Sequence, residues 1–172
     1  ILVKPQLGEN IGACARSLKN FGFSNLKIVS PKQSWPNNKA KAMSVGAIDI
    51  IKKAKIYNNV SDAINDFNII FSLSARERDI NKKHISINQF LKIIKSKKKS
   101  KFGFLFGPES SGLSNEDLSY SNYILKIPTS KNFKSLNLSH SLTIICYEIY
   151  KLFNFKNFNL QSDDLKNEVQ YP

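Results

Sequence analysis

Short apolar runs alternate along the chain with segments whose apolar residues recur every three or four positions. The first pattern predicts β-strands, and the second predicts helices that pack by one face. Strands are predicted at residues 2–3, 26–29, 55–57, 68–73, 102–106 and 123–127. Helices are predicted at residues 10–21, 39–54, 61–67, 86–94, 114–119 and 138–153. This alternation favours an α/β fold with a mostly parallel sheet flanked by helices on both faces.

The predicted helices carry recognisable end signals. Asn10, Ser61, Ser86 and Ser114 stand at expected N-cap positions, because their side chains can accept hydrogen bonds from the first turn. Gly22 follows the first helix and is expected to stop it.

The length of 172 residues indicates one domain with a buried core. We place this domain at residues 1–153. Residues 154–172 are polar and acidic, which indicates a linker or a docking arm. The chain begins with Ile rather than Met, so we expect its start to have been trimmed.

Composition excludes several classes of protein. A hydrophobic fraction of 41% with twelve Phe excludes a disordered tail. No run reaches the roughly 18 apolar residues that cross a bilayer. Two cysteines, Cys14 and Cys146, exclude a disulfide framework or a four-cysteine zinc site, and we expect both to be buried thiols. His84 and His140 are the only histidines, and we expect neither to bind a metal.

The basic residues point to a polyanionic partner, nucleic acid before membrane. They number 26 against 13 acidic residues, for a net charge of +13. Only three are Arg, at positions 16, 76 and 78. Such rare Arg residues either survive by chance or mark sites where the planar guanidinium matters. Eight Lys between residues 82 and 101 either follow a phosphate backbone or form a solvated helix face.

Three segments place unusual residues at predicted strand ends, where open α/β sheets bind their ligands. The first runs from Gly8 to Arg16 and reads Gly-Glu-Asn-Ile-Gly-Ala-Cys-Ala-Arg. Its small residues allow a backbone or a phosphate to approach the start of a helix, although the same pattern is also typical of capping.

The second segment follows a strand and reads Phe-Gly-Pro-Glu-Ser-Ser-Gly-Leu from Phe106 to Leu113. Its two glycines can form a loop around a flat ligand, with Glu109 held at the edge of the sheet. The alternative is a glycine-rich turn with an exposed carboxylate. The Gly-Lys-Ser/Thr ending of a Walker phosphate loop is missing.

The third segment joins Ile127-Pro128-Thr129 to Lys134-Ser135-Leu136-Asn137-Leu138-Ser139-His140, which leads into the last helix. Ser135 and Asn137 either cap that helix or belong to a site.

Together and in this order, the three segments closely resemble the three motifs of the SpoU/TrmH-type RNA ribose methyltransferases of the SPOUT superfamily. Those motifs read Asn-x-Gly-x-x-x-Arg, Phe-Gly-x-Glu-x-x-Gly-Leu, and Ile-Pro followed by Ser-Leu-Asn-Leu/Val-Ser. The resemblance covers about residues 1–153. Residues 42–49, 74–78 and 136–148 are most similar to the TrmJ subgroup, which methylates the ribose of the first anticodon-loop nucleotide of tRNA, position 32.

The resemblance implies the SPOUT fold, an α/β sheet whose C-terminal part is threaded into a trefoil knot. It implies a cytoplasmic homodimer that acts on RNA, tRNA in particular, without a metal or a membrane partner. It implies S-adenosylmethionine as the cofactor, bound in a bent shape. The implied cofactor-binding residues are Leu73, Ser74, Phe106, Gly107, Pro108, Glu109, Gly112, Ile127, Ser135, Leu136 and Asn137.

The resemblance also implies the catalytic residues, which are Arg16, Asn10, Glu109, Ser135 and Asn137. In the family, the Arg of one subunit faces the cofactor of the other. A guanidinium stays protonated near neutral pH, so we expect Arg16 to clamp the RNA phosphate and the developing alkoxide rather than act as the base. Glu109 would favour the positive methyl donor or brace its loop, and Ser135 and Asn137 would orient Arg16 or the hydroxyl.

RNA contacts are expected from Arg16, Arg76, Arg78, Lys82 and Lys83. Arg76 and Arg78 have an alternative as salt-bridge partners of the acidic residues beside them.

Alternative functions remain open. The protein could be a ribose methyltransferase of the same family that acts on rRNA or at another tRNA site. It could also be a catalytically silent RNA-binding module of this family. A dinucleotide-binding oxidoreductase is disfavoured, because no Gly-x-Gly-x-x-Gly follows a predicted strand.

Overall fold

The computed structural model describes residues 1–75 and 81–154. Within these residues the strands are β1 (Leu2–Val3), β2 (Lys27–Val29), β3 (Lys55–Tyr57), β4 (Ile69–Leu73), β5 (Lys83–Ile85), β6 (Phe102–Leu105) and β7 (Tyr123–Leu125). The helices are α1 (Gly8–Asn20), α2 (Asn38–Met43), α3 (Ile48–Lys53), α4 (Val60–Ile64), α5 (Ile87–Ser96), α6 (Asn115–Ser119) and α7 (Leu138–Asn154).

The described strands pair in parallel throughout, as the alternation of elements predicts. One group has the order β1-β2-β3 and the other has the order β5-β7-β4-β6. A parallel bridge between Leu2 and Phe106 joins the two groups at β1 and the end of β6. The Val3 N–H donates to the Phe106 carbonyl at 2.8 Å, and the Phe106 N–H donates to the Ile1 carbonyl at 3.0 Å. The strands therefore follow the order β3-β2-β1-β6-β4-β7-β5.

The sheet is buried on both faces, because neighbouring residues of a strand belong to different apolar clusters. Leu2, Ile28 and Phe71 pack in one cluster, with apolar residues of α1, α5 and α7. Val3 and Val29 pack in the other, with apolar residues of α4 and α6. The predicted α/β fold with helices on both faces is confirmed.

The predicted elements differ from the structure at three places in the first half of the chain. The helix predicted at 39–54 is two helices, because Val45 and Gly46 adopt positive φ angles of 20° and 67° between them. Helix α4 is capped by Asn59, whose side chain accepts from the Asp62 N–H, and not by Ser61. Helix α1 begins at Gly8, so the prediction that Asn10 is its N-cap is wrong.

The other end signals agree with the structure. Ser86 and Ser114 each form a capping box with the residue three positions on. Gly22 follows α1 with a φ of 76°, which suits a helix stop. Strand β5 was not predicted, because it is a three-residue edge strand with two exposed residues. The predicted tail, apart from Asn154, lies outside the described residues.

Parallel strands bring their carboxyl ends to one edge of the sheet, and this geometry positions the site. The loops after β1, β4, β6 and β7 all leave from that edge. These loops carry the three sequence segments, and α1 and α7 begin beside them.

Candidate active site

A cavity of about 530 Å³ opens at the carboxyl edge of the sheet, within the range of small-molecule sites. Its walls come from the loops after β4, β6 and β7 and from the start of α7. The residues that line it are Leu73, Ser74, Ala75, Phe106, Gly107, Pro108, Glu109, Ser110, Ser111, Gly112, Leu125, Ile127, Lys134, Ser135, Leu136, Leu138 and Ser141. Every residue predicted to bind the cofactor is in this set except Asn137.

The loop after β6 folds back closely on itself. A Cβ added at Gly107 would lie 2.3 Å from the Leu113 nitrogen and 2.5 Å from the Gly112 carbonyl carbon. The Gly112 N–H donates to the Pro108 carbonyl at 2.8 Å, and Gly112 has a φ of 68°. Only glycine fits at position 107 without displacing backbone, and position 112 favours glycine because of its positive φ.

Glu109 joins the second sequence segment to the first. Its carboxylate accepts hydrogen bonds from the Gln6 N–H at 2.8 Å, the Leu7 N–H at 3.2 Å and the Asn10 Nδ2 at 2.8 Å. The side chain is half-buried and also lines the cavity. The sequence left two roles open for Glu109: to favour the positive methyl donor or to brace the loop that holds it. The contacts favour the bracing role, because two of the hydrogen bonds hold the backbone just before α1.

Asn10 links Glu109 to the third segment. Its Oδ1 accepts from the Asn137 Nδ2 at 3.1 Å, and it lies buried within α1. The Asn137 Oδ1 in turn accepts from the N–H and the hydroxyl of Ser139, each at 2.8 Å. Asn137 thus caps α7 while it touches the first segment, and one chain of hydrogen bonds connects all three segments.

Replacing Asn10 by Ala is expected to lower the free energy of unfolding by about 2 kcal/mol. The change removes one hydrogen bond to a carboxylate and one to an amide, both partly buried. Denaturant unfolding measures the effect. Asn20→Ala, at the exposed end of the same helix, is the control and should change stability by less than about 0.5 kcal/mol. Equal effects in the two variants would contradict the linking role.

Arg16 lies apart from the cavity in the single chain. It is exposed on α1, lines no part of the cavity, and has no hydrogen-bond or ion-pair partner in residues 1–75 and 81–154. Ser135 does line the cavity, close to Leu136. The structure therefore brings together Asn10, Glu109, Ser135 and Asn137 but not Arg16.

The predicted RNA-binding residues are spread out. Arg76 and Arg78 lie outside the described residues. Lys82 and Lys83 lie at the amino end of β5, which is the opposite edge of the sheet from the cavity. The Lys82 ammonium donates to the carbonyls of Ser119 at 2.6 Å and Ser121 at 2.8 Å, so it holds the end of α6. Lys83 is exposed.

Gln6 and Lys134 also belong to the site, although the sequence analysis did not assign either a role. The Gln6 Oε1 accepts from the Ser110 N–H at 2.9 Å, which adds a second link between the first loop and the Glu109 loop. Its position directly after β1 was the available signal, because that places it at the same edge of the sheet. Lys134 lines the cavity and brings a positive charge to it.

One carboxyl group and two thiol groups near these elements have shifted pKa values. Hydrogen bonds from its own backbone N–H and from Lys39 hold the pKa of Glu9 below its usual range. Burial raises the pKa of the Cys146 thiol to about 12, and burial raises that of Cys14 further. Both cysteines are buried as predicted, which leaves neither poised as a nucleophile.

The described residues lack two structural features of other protein classes. None of the helices within 1–75 and 81–154 has the length and apolar character needed to span a membrane. In the same residues, no three His, Cys, Asp or Glu side chains come together as a metal site would require.

A parallel sheet with a ligand-sized cavity at its carboxyl edge, walled by three hydrogen-bonded segments, is the arrangement expected of the methyltransferases that the motifs resemble. The sequence profile of the SpoU rRNA Methylase family matches residues 1–147, and the chain belongs to this family. The resemblance identified from the three motifs is confirmed.

Individual relatives also support membership of the SpoU family, and they show that the chain is similar to TrmJ proteins. A tRNA (cytidine-2'-O-)-methyltransferase TrmJ of Methanocaldococcus jannaschii is 40% identical over 157 residues, which cover 87% of this chain and 66% of that protein. The chain thus spans slightly less than two thirds of this relative. The crystal structure of TrmJ from Z. mobilis is 32% identical with a TM-score of 0.84, covering 99% of this chain and 70% of that one.

A more distant structure shares the fold. The SpoU methyltransferase AviRb from Streptomyces viridochromogenes, in complex with the cofactor AdoMet, has a TM-score of 0.70 at 19% identity. The alignment covers 87% of this chain and 55% of AviRb.

Proposed function

We propose that this protein is an S-adenosylmethionine-dependent RNA 2'-O-ribose methyltransferase that acts on tRNA. The observation that carries the proposal is the hydrogen-bonded chain of Glu109, Asn10 and Asn137, which unites the three methyltransferase motifs around one cavity. Membership of the SpoU family and the TrmJ relatives support the same reaction class.

The cavity suits S-adenosylmethionine by its size and lining. Apolar walls from Leu73, Ile127 and Leu136 suit a flat purine and the methylene groups of the methionine chain, and serine hydroxyls with backbone groups suit the ribose and the amino acid. The residues proposed to hold the cofactor are Leu73, Ser74, Phe106, Gly107, Pro108, Glu109, Gly112, Ile127, Ser135 and Leu136. Asn137 is proposed to hold Ser135 and Leu136 in place through its hydrogen bonds to Asn10 and to the start of α7. The trefoil knot in this part of the chain stays a prediction from the family resemblance.

When bound, the cofactor supplies an electrophilic methyl group. The protein must then hold a ribose 2'-hydroxyl in line with that methyl group and stabilise the alkoxide as its proton leaves. Ser135, at the cavity wall, is proposed to orient the hydroxyl, and Arg16 is proposed to bind the adjacent phosphate and the developing negative charge. Glu109 and Asn10 keep the loops at fixed positions.

A homodimer would bring Arg16 to the cavity. In one chain Arg16 stays exposed and away from the cavity, so the Arg16 of a second copy is proposed to complete the site. Helices α1 and α7 pack together and provide an apolar surface for this contact. On α7, Tyr147 is 49% exposed and Phe153 is 56% exposed, and the ring of Phe21 lies 6.0 Å from that of Tyr147.

The RNA is proposed to be tRNA, methylated at the cytidine or uridine of position 32. The TrmJ relatives support tRNA, and the net charge of +13 supports a polyanion. Arg76, Arg78 and the exposed Lys83 are proposed to contact the RNA. The family name leaves rRNA as the second candidate substrate.

Two measurements test the proposal. Calorimetry should detect S-adenosylmethionine binding, and its absence at high protein concentration would indicate a silent RNA-binding module instead. Methyl transfer should then be compared on tRNA transcripts that carry C, U, A or G at position 32 and on fragments of rRNA. The proposal expects transfer to the C32 and U32 transcripts. Transfer to rRNA alone would contradict it.

A further inference from the structure

We propose that Phe133 is a stacking platform for a nucleobase of the RNA substrate, next to the nucleotide that is methylated. The inference rests on the proposed function, because it assumes that the cavity acts on RNA. It assigns substrate recognition to a residue in the loop between the two parts of the third segment, where no residue matches the motif.

The exposure of Phe133 is unusual for so large an apolar side chain. It is 79% exposed, the highest value among the large hydrophobic residues that the structure describes. A single exposed apolar residue is ordinary on a protein surface, so exposure alone decides nothing. The position and the surroundings of the ring carry the inference.

The loop holds the ring in a defined place. Ser130 and Phe133 form an antiparallel bridge, in which the Phe133 N–H donates to the Ser130 carbonyl at 3.3 Å. The Asn132 N–H donates to the Ser130 hydroxyl at 3.4 Å. The Thr129 hydroxyl donates to the Lys134 carbonyl at 3.2 Å, which closes the loop at its base. These bonds fix the backbone that presents the ring and so reduce the entropy lost on binding.

The loop also stands beside the cavity. Lys134, Ser135 and Leu136, which follow Phe133 directly, line the cavity, and Ile127 lines it from the other side of the loop. A ligand that places its reacting atom in the cavity and extends outward therefore passes close to Phe133. For an RNA substrate, the part that extends outward is a neighbouring nucleotide.

The charges around Phe133 match a nucleotide. Lys131 and Lys134 stand on either side of Phe133 in the sequence and are exposed, and no Asp or Glu occurs in the sequence between Asp117 and Glu148. Each nucleotide of a single strand presents a flat base and a phosphate a short distance apart. An exposed aromatic ring among cations is the arrangement that binds such strands, by stacking and by phosphate attraction. The purine of the cofactor or a second copy of this chain would also cover the ring, and cofactor binding without RNA and the mass in solution distinguish these two occupants.

Four variants test the inference. Phe133→Ala removes the ring, Phe133→Leu keeps apolar area without a ring, and Phe133→Trp keeps a ring. Tyr120→Ala is the control, because Tyr120 is 38% exposed but lies after α6 at the opposite edge of the sheet. For each variant, RNA binding without cofactor, the kinetics of methyl transfer, cofactor binding without RNA, and the mass in solution are measured.

The expected result for Phe133→Ala is a loss of about 5- to 150-fold in RNA affinity and in kcat/KM, mainly through KM. Phe133→Leu should resemble Phe133→Ala, and Phe133→Trp should resemble the wild type. Cofactor affinity and mass should be unchanged, and Tyr120→Ala should behave as the wild type.

Three results would overturn the inference: unchanged RNA affinity in Phe133→Ala, weaker cofactor binding without RNA, or a change of mass. Unchanged RNA affinity would mean that the ring has no role in RNA binding. Weaker cofactor binding would mean that the ring contacts the cofactor, and a change of mass would mean that it contacts a second copy of the chain. Failure of the proposed function looks different. In that case the wild type transfers no methyl group, while its RNA affinity still depends on Phe133.

Discussion

Replacing Arg16 by Ala is expected to reduce methyl transfer about 100- to 1000-fold while the protein remains folded and binds its cofactor. The loss is that of a donor aimed at charge that develops during the reaction. Folding should be unaffected, because Arg16 is exposed and has no partner in the described part of the chain. Labelled methyl transfer to tRNA measures the first effect, and thermal unfolding with calorimetry measures the others.

The controls separate the charge of Arg16 from its shape. Arg16→Lys keeps the positive charge but loses the planar set of donors, so it should recover only part of the lost rate. Lys52→Ala removes an exposed cation on α3 and should leave the rate within about twofold, because a lone surface charge adds little. Full activity in Arg16→Ala would remove Arg16 from the mechanism.

Replacing Gly107 by Val is expected to weaken S-adenosylmethionine binding by about 100-fold. Any Cβ at this position would lie 2.3 Å from the Leu113 nitrogen, so the loop that lines the cavity must open. Forcing extra atoms into so tight a place costs about 1–3 kcal/mol. Here the cost destabilises the loop conformation that binds the cofactor, so it appears as a loss of affinity. Calorimetric titration measures the affinity, and Gly107→Ala provides a milder version of the same change.

Gly46→Ala is the matched control for Gly107→Val. Gly46 has a φ of 67°, so a side chain is strained there, but no atom lies within 4 Å of the added Cβ. This variant should lose some stability and keep its cofactor affinity. Equal loss of affinity in both glycine variants would show that general destabilisation, and not the shape of the loop, causes the effect.

The Arg16→Ala and Gly107→Val variants, assayed at a cofactor concentration that saturates only the wild-type cavity, also test whether two chains share each site. If the Arg16 of one subunit faces the cavity of the other, a mixed dimer of Arg16→Ala and Gly107→Val chains contains one intact site. Unfolding and refolding an equal mixture should restore about a quarter of the wild-type activity, because half of the dimers are mixed. No recovery in dimers shown to be mixed would place Arg16 and the cavity within one chain.

The sequence predicted which loops meet at the cavity, because the signals for them are local. Gly107 and Glu109 stand out by residue type just after a predicted strand end, and parallel strands bring such ends to one edge. The alternation of strands with helices along the chain likewise predicted a sheet covered by helices on both faces. The roles of Asn10 and Gln6 depend on partners about 100 residues away, which no local pattern contains.

Other differences have equally physical causes. The helix predicted across residues 39–54 is broken at Val45, which adopts a positive φ. A valine in the sequence does not predict a positive φ, because β-branched residues rarely adopt one. Strand β5 is held by pairing with β7 and not by its own apolar pattern. The separation of Arg16 from the cavity depends on which face of α1 packs inward, and the motif alone does not show this.

The central claim is transfer of a methyl group to a ribose hydroxyl. The most direct measurement incubates the protein with tRNA and methyl-labelled S-adenosylmethionine, digests the RNA to nucleosides, and identifies the labelled products by mass spectrometry. The account predicts 2'-O-methylated nucleosides as the labelled products, formed by the wild type and not by Arg16→Ala. A label on a base, or no label although the cofactor binds, would contradict it.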